Sequence, residues 1–330
     1  MGNDGDVDVV LVTQLPPDSW FEGFAVRPNN HLVAARLDAP SIYDLDAENP
    51  DAEPQPLCEL PGAASAINLV AVPGRQDEYS IITSDICDLA ACRWQDFAVW
   101  HLKINPDGKA EATKKGEIKD IALPLGLCAV NEQYILVADS VKLCIQVLDV
   151  TTGQSEVLLA DEESMKPKGE DAFFGINRIC LAGGYLWYSN YGAGSIHRVP
   201  YELDGSNPRV PLKVTGPVEL VADDLKHCDG FQVTPGGSAA YTLNSVDGNL
   251  MKTDVKSLQG AKAQSINVQE RLVSPTCLEL GTPGKGKQKI FVMCCGEIDV
   301  GWLDASDKLS WTEWSKIQVS STVEVTVTTE

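Results

Sequence analysis

Basic residues are scarce in this chain: Lys and Arg number 26 against 47 Asp and Glu, a formal net charge of −21. Such a surface repels polyanions, so neither nucleic acid nor an anionic membrane is an expected partner. No apolar run reaches the roughly eighteen residues that a membrane-spanning helix needs. The N-terminus shows no basic segment followed by an apolar stretch, and no Asn-x-Ser/Thr sequon occurs, so a cytoplasmic protein is the expectation. Helical 3.6-residue periodicity is almost missing. Also missing are a phosphate-binding glycine loop, a Gly-x-Ser-x-Gly elbow and a His-Glu-x-x-His pair, which removes the commonest hydrolase and nucleotide-binding signatures.

Cysteine is not lacking, yet its ten occurrences exclude more than they suggest. Most fall inside apolar runs, as in Leu127-Cys128-Ala129, where a reduced thiol packs as a small hydrophobe. A zinc site would need a second close pair with His nearby, and neither is present. Cys87 and Cys92 lie close enough in sequence for a loop disulfide, with free thiols as the alternative.

What the chain does contain is a repeat. Short apolar strands ending in a polar residue recur at Arg36, Asp85, Asp139, Asn190, Asn244 and Cys294, in steps of 49, 54, 51, 54 and 50 residues. Each has an upstream partner strand, beginning at Glu22, Asn68, Leu125, Asn177, Asp229 and Thr276, separated from it by hairpin-type residues such as Pro28-Asn29-Asn30 or Gly183-Gly184. A third strand follows each pair (DVGWLDAS in the sixth repeat) and a weaker fourth follows most. A four-stranded meander of about fifty residues is one propeller blade. The expectation is therefore an all-β, six-bladed β-propeller with four-stranded antiparallel blades, residues 1–330 forming one domain. Asp6 to Gln14 should pair into the last blade and close the ring, removing an exposed sheet edge.

In a propeller the first strands line a central channel, and the residues starting them converge on one mouth with those ending the second strands. Glu22 and Asp229 each precede Gly and an apolar strand, so their carboxylates belong where the chain enters the channel. With Asn177 they form an oxygen set suited to calcium or magnesium. Asp139, Asn190 and Asn244 have an alternative reading, since Asp and Asn hydrogen-bond their own backbone in turns. Trp20, Phe21, Phe173 and Phe174 flank the channel openings and Trp94 sits in a long loop after Asp85. If they face the opening, the mouth suits an apolar ligand; otherwise they are core. Among four histidines only His227, two residues before Asp229, is placed for the mouth.

The words WFEGFAVRPNNHLVAARLDAPSIYDLD, FFGINRICLAGGYLWYSNYGAGSIHRVP and CDGFQVTPGG resemble the gluconolactonase/regucalcin-like six-bladed propellers, in particular a fungal branch. That resemblance implies metal ligands at Glu22, Asn177 and Asp229. The family's catalytic Asn of the third blade is Leu125 here, which leaves lactone hydrolysis without its residue and the metal set incomplete. Within the branch, the chain is similar to the hetero-Diels–Alderases of tropolone–sesquiterpenoid assembly. The reaction implied joins a tropolone ortho-quinone methide to a humulene-type polyene, both small apolar partners, with no cofactor required. Arg36, Asp139, Tyr191 and His227 are then candidates for catalysis, and Trp20, Phe21, Trp94, Phe173, Phe174, Asn190 and Asn244 for substrate contact. The alternatives are a metal-dependent lactonase or esterase and a propeller that only binds.

Overall fold

The computed structural model describes residues 7–15, 19–49, 51–89, 93–168, 174–205, 207, 210–255, 265–269, 272–283, 287–295 and 321–328. Six antiparallel sheets surround a central channel, as the spacing predicts. Blade 1 runs Phe21–Val26, His31–Arg36, Ser41–Asp46 and Gln55–Glu59. Blade 2 runs Ser65–Ala71, Glu78–Asp88, Arg93–Ile104 and Ala110–Ile118. Blade 3 runs Pro124–Ala129, Tyr134–Asp139, Cys144–Asp149 and Ser155–Leu159. Blade 4 opens with Ile176–Ala182, Tyr185–Asn190 and Ser195–Leu203. Its outer strand is split: Leu212–Val214 pairs one half of the third strand and Glu219–Ala222 the other. Between them lie Gly216 and Pro217, and a proline that cannot donate interrupts the ladder.

Blade 5 runs Cys228–Val233, Ala239–Asn244, Asn249–Asp254 and Ser265–Gln269. Blade 6 combines Pro275–Leu280 and Lys287–Cys294 with Ser321–Thr328, and Val7–Gln14 is its outermost strand. The N-terminal strand thus closes the ring as expected. The third place in this blade belongs to Ser321–Thr328, whereas DVGWLDAS, assigned to it from the sequence, lies outside the described residues. Among the described residues no helix is long and apolar enough to cross a membrane.

The core lies between blades, where the faces of neighbouring sheets interlock. At the closure, Val12 and Leu15 pack with Phe21, Phe24 and Leu32 of blade 1 and Cys277, Phe291 and Met293 of blade 6. Every first strand carries a β-bulge near its start, at Phe21/Gly23, Ala66/Asn68, Pro124/Gly126, Ile176/Ile179, Cys228/Phe231 and Pro275/Cys277. A bulge leaves one residue outside the ladder and re-aims its side chain. The residues left out include Glu22, Ile67, Leu125, Asn177, Asp229 and Thr276. Asn68, aligned with Glu22 from the sequence, sits one layer deeper, and Ile67 takes the equivalent place.

Leu15 and Val9 give a test of the closure. Leu15→Ala empties a buried site between blades 6 and 1 and should cost about 2–5 kcal/mol in urea unfolding. Val9→Thr, on the exposed outer edge, should stay within about 0.5 kcal/mol. Equal effects would contradict the closure.

Candidate functional site

The bulges bring Glu22, Asn177 and Asp229 together, and with them a residue absent from the sequence expectations. Arg178 extends its guanidinium across the channel. Its Nη1 donates to Leu125 O of blade 3 at 3.2 Å. Its Nη2 donates to Glu22 Oε1 of blade 1 and, at 3.3 Å, to Thr276 O of blade 6. Asp229 Oδ1 of blade 5 lies 3.6 Å from the same nitrogen. Asn68 of blade 2 joins by donating to Leu125 O at 2.6 Å. Side chains or carbonyls of all six blades therefore meet around one cation.

Two glycines make the approach feasible. A Cβ on Gly126 would collide with the backbone of Asn177 and Arg178, and one on Gly23 with the Asn68 amide. Around the guanidinium the remaining polar atoms are ordered. Trp20 Nε1 donates to Glu22 Oε2 at 2.8 Å, and Asn177 Nδ2 donates to Asp229 Oδ1 at 3.0 Å. Among the described residues, Arg178 Nε and Asn177 Oδ1 are buried without a hydrogen-bond partner. Arg178 and Glu22 side chains are each 8% exposed, and Asp229 is 15% exposed.

Two carboxylates facing one guanidinium hold one excess negative charge when both are ionised. Burial disfavours that charge, and it raises Glu22 to about 8 and Asp229 to about 6 despite the pull of Arg178. The pair therefore retains a proton near neutrality and titrates as a unit.

The expected metal cage is changed by this arrangement. Arg178 places a positive charge against Glu22 and beside Asp229, and Asn177 turns its amide nitrogen toward Asp229. A divalent cation there would meet a fixed guanidinium and compete for the same oxygens, so these residues do not fit calcium or magnesium. Among the described residues no group of three His, Cys, Asp or Glu is arranged to hold a metal ion.

The other candidates divide by position. Tyr191, His227 and Phe174 gather on the Asp229 side of the guanidinium: the Tyr191 ring lies 5.5 Å from His227 and 6.1 Å from Phe174. Burial and the nearby Asp229 carboxylate raise the Tyr191 phenol, while burial lowers His227. Tyr191 thus stays a donor, and His227 is neutral at pH 7.

Asp139 is fully buried and accepts from the backbone N–H groups of Ala122, Leu123, Val141 and Lys142 and from Gln146. Its oxygens are spent on holding turns, which takes it out of the catalytic set. Asn190 likewise bonds Ser164 O, Lys166 O and Ala193 N, and Asn244 bonds Val246 N, Asp247 N and the Asp247 carboxylate. Arg36 is engaged by Asp38 within its own blade.

Phe21 is buried in the closure cluster, edge-on to Tyr43, and does not line the mouth. Trp94 belongs to the strand Arg93–Ile104, an extension of the blade 2 hairpin, and packs with Trp20 on the cluster holding Ile67 and Phe97. It is not in a loop. Phe173 and Cys92 lie outside the described residues, and with Cys92 the possible pairing with Cys87.

No protein-family model matches the chain. No curated protein matches it by sequence. Solved structures do resemble it. Virginiamycin B lyase from Staphylococcus aureus aligns over 98% of this chain and 100% of its own, at 9% identity and a TM-score of 0.55. PQQ-bound aldose sugar dehydrogenase from Streptomyces coelicolor covers 97% and 99%, at 11% identity and a TM-score of 0.55. A streptogramin B lyase covers 87% and 80%, at 14% identity and a TM-score of 0.51. The likeness is one of fold. At these identities it shows the fold alone and says nothing of the Arg178 cluster.

The raised carboxylates give a signed pH dependence. Glu22 and Asp229 bind their proton more tightly folded than unfolded. Their contribution is whole below the ordinary carboxylate range near pH 4 and drains away as pH rises through about 6 and 8. The urea midpoint should fall between pH 5 and 8, and Glu22→Gln should flatten that fall; an unchanged slope would contradict the shared proton. Arg178→Met should cost about 3–5 kcal/mol, the scale of breaking a buried ion pair.

Proposed function

We propose that this chain is a metal-independent catalyst that uses a protonated carboxyl beside a fixed guanidinium to assist elimination and the cycloaddition following it. The observation carrying this reading is the Glu22–Arg178–Asp229 cluster next to Tyr191, His227 and Phe174. The resemblance to hetero-Diels–Alderases supplies the substrate class: a tropolone carrying a hydroxymethyl-type leaving group, and a humulene-type polyene.

The roles follow from position and protonation. The proton that the pair retains reaches the departing hydroxyl through Asp229, the more exposed carboxyl, as the C–O bond breaks. Neutral His227 takes the proton from the tropolone hydroxyl, so that water leaves and an ortho-quinone methide remains. Arg178 holds the two carboxylates that remain on Glu22 and Asp229, and Tyr191 donates to the quinone methide oxygen, where negative charge grows. The cycloaddition then forms one C–C and one C–O bond with no further proton or co-reactant. Phe174 and the Tyr191 ring offer the polyene an apolar wall, and orientation supplies much of the rate gain.

A metal-dependent lactonase is the weaker reading, because Leu125 stands where its Asn belongs and Arg178 sets a guanidinium against Glu22 and Asp229. The test is to offer the purified protein a hydroxymethyl tropolone with humulene, and separately an aldonolactone, each with and without chelator. The expected outcome is an adduct formed faster and with higher stereochemical purity than in buffer, unaffected by chelation, and no lactone turnover. Asp229→Asn should slow it about 100-fold or more, the scale of losing a positioned acid, with Tyr191→Phe milder. Chelator-sensitive lactone turnover would overturn the proposal; inactivity in both assays would favour a propeller that only binds.

A further inference from the structure

The channel does not end at Arg178. Beyond it lies a cavity of about 340 Å³, bounded by Glu22 and Arg178 at one end and by Val26, Leu181 and Leu280 toward the opposite face of the ring. At about 30 Å³ per water it has room for roughly ten waters, or one small ligand.

Its wall is asymmetric. Ala25 and Val70 supply one side, and Gln232 and Glu279 of blades 5 and 6 the other. Gln232 Nε2 donates to both Glu279 oxygens at 3.0 Å. That bond fixes the amide: its nitrogen faces the carboxylate, leaving Gln232 Oε1 as an acceptor without a donor among the described residues. With Glu279 ionised, the free polar sites that Gln232 and Glu279 present to the chamber are therefore all acceptors. Among the described residues no Lys or Arg pairs with Glu279, and Arg178 is committed elsewhere. Burial raises the Glu279 carboxyl to about 7, with Gln232 and the more distant Arg178 pulling it down.

A lone carboxylate beside an amide oxygen, in a narrow chamber with an apolar exit, matches a particular chemistry. An ammonium has three donors and no acceptor. An alkyl chain attached to it would extend past Val26, Leu181 and Leu280, where burial is favourable. The chain's net charge of −21 raises the local concentration of cations. We propose that the chamber beyond Arg178 is a second binding site, taking a small primary alkylammonium with its nitrogen on Glu279 and Gln232. This inference is independent of the reaction assigned to the opposite side of Arg178.

The probe is n-butylammonium chloride, with n-butanol and sodium chloride as matched controls, followed by calorimetry and thermal unfolding of the full chain. Butylammonium should bind and raise the melting temperature, whereas butanol and salt should do neither. Glu279→Gln keeps the shape and the Gln232 contact and should fold as wild type by circular dichroism. It should bind butylammonium at least tenfold more weakly. Glu117→Gln removes a charge from the exterior and should leave binding unchanged. Failure of the wild type to bind, or equal binding by Glu279→Gln, would overturn the site. Equal weakening in both variants would reduce the effect to net charge and overturn it too.

Discussion

The buried guanidinium of Arg178 is the constraint around which the centre of this propeller is arranged. Six first strands around an axis leave a gap that no short side chain can fill. A guanidinium fills it with donors in a rigid fork, but only if its charge is compensated, because a buried charge without partners is very costly. The compensation comes from four other blades: Glu22, the Leu125 and Thr276 carbonyls, and Asp229. The two glycines that let neighbouring strands approach are part of the same requirement. So is the indole of Trp20, which satisfies the Glu22 oxygen facing away from Arg178.

The same constraint divides the channel. On one side, Asp229 meets the Tyr191–His227–Phe174 group, with a donor and a neutral imidazole within one cluster of rings. On the other side lies a chamber whose polar wall is made of acceptors. Compensation by two carboxylates, where one would balance the charge, leaves the cluster with an excess that a proton relieves. Burial raises both carboxyls above the range of exposed ones.

Away from the axis, the polar residues that end the second strands serve the backbone. Asp139, Asn190 and Asn244 each occupy the same corner of their blades and each accept from N–H groups of the following turn. A repeated corner needs a repeated acceptor, since a buried N–H must be bonded. Their recurrence in the sequence therefore reports the repeat, whereas the Arg178 cluster is built from positions where the blades differ from one another.

The amino-acid sequence by itself determined the ring. A fifty-residue recurrence of apolar strand pairs, with turn residues at fixed places, reflects local pairing, and local pairing is written in neighbouring residues. It also brought Glu22, Asn177 and Asp229 to one mouth, because each begins the first strand of its blade. What only the tertiary structure decided is the direction each side chain takes there. A bulge of one residue put Ile67 where Asn68 was expected, sent Phe21 into the closure, and turned Arg178 into the channel. The signal for Arg178 was present as a lone basic residue in the apolar strand INRICLA, yet its meaning lay in partners from 50 to more than 150 residues away. Electrostatic compensation acts through space, so a cation whose partners come from four other blades acquires its role only when the ring closes.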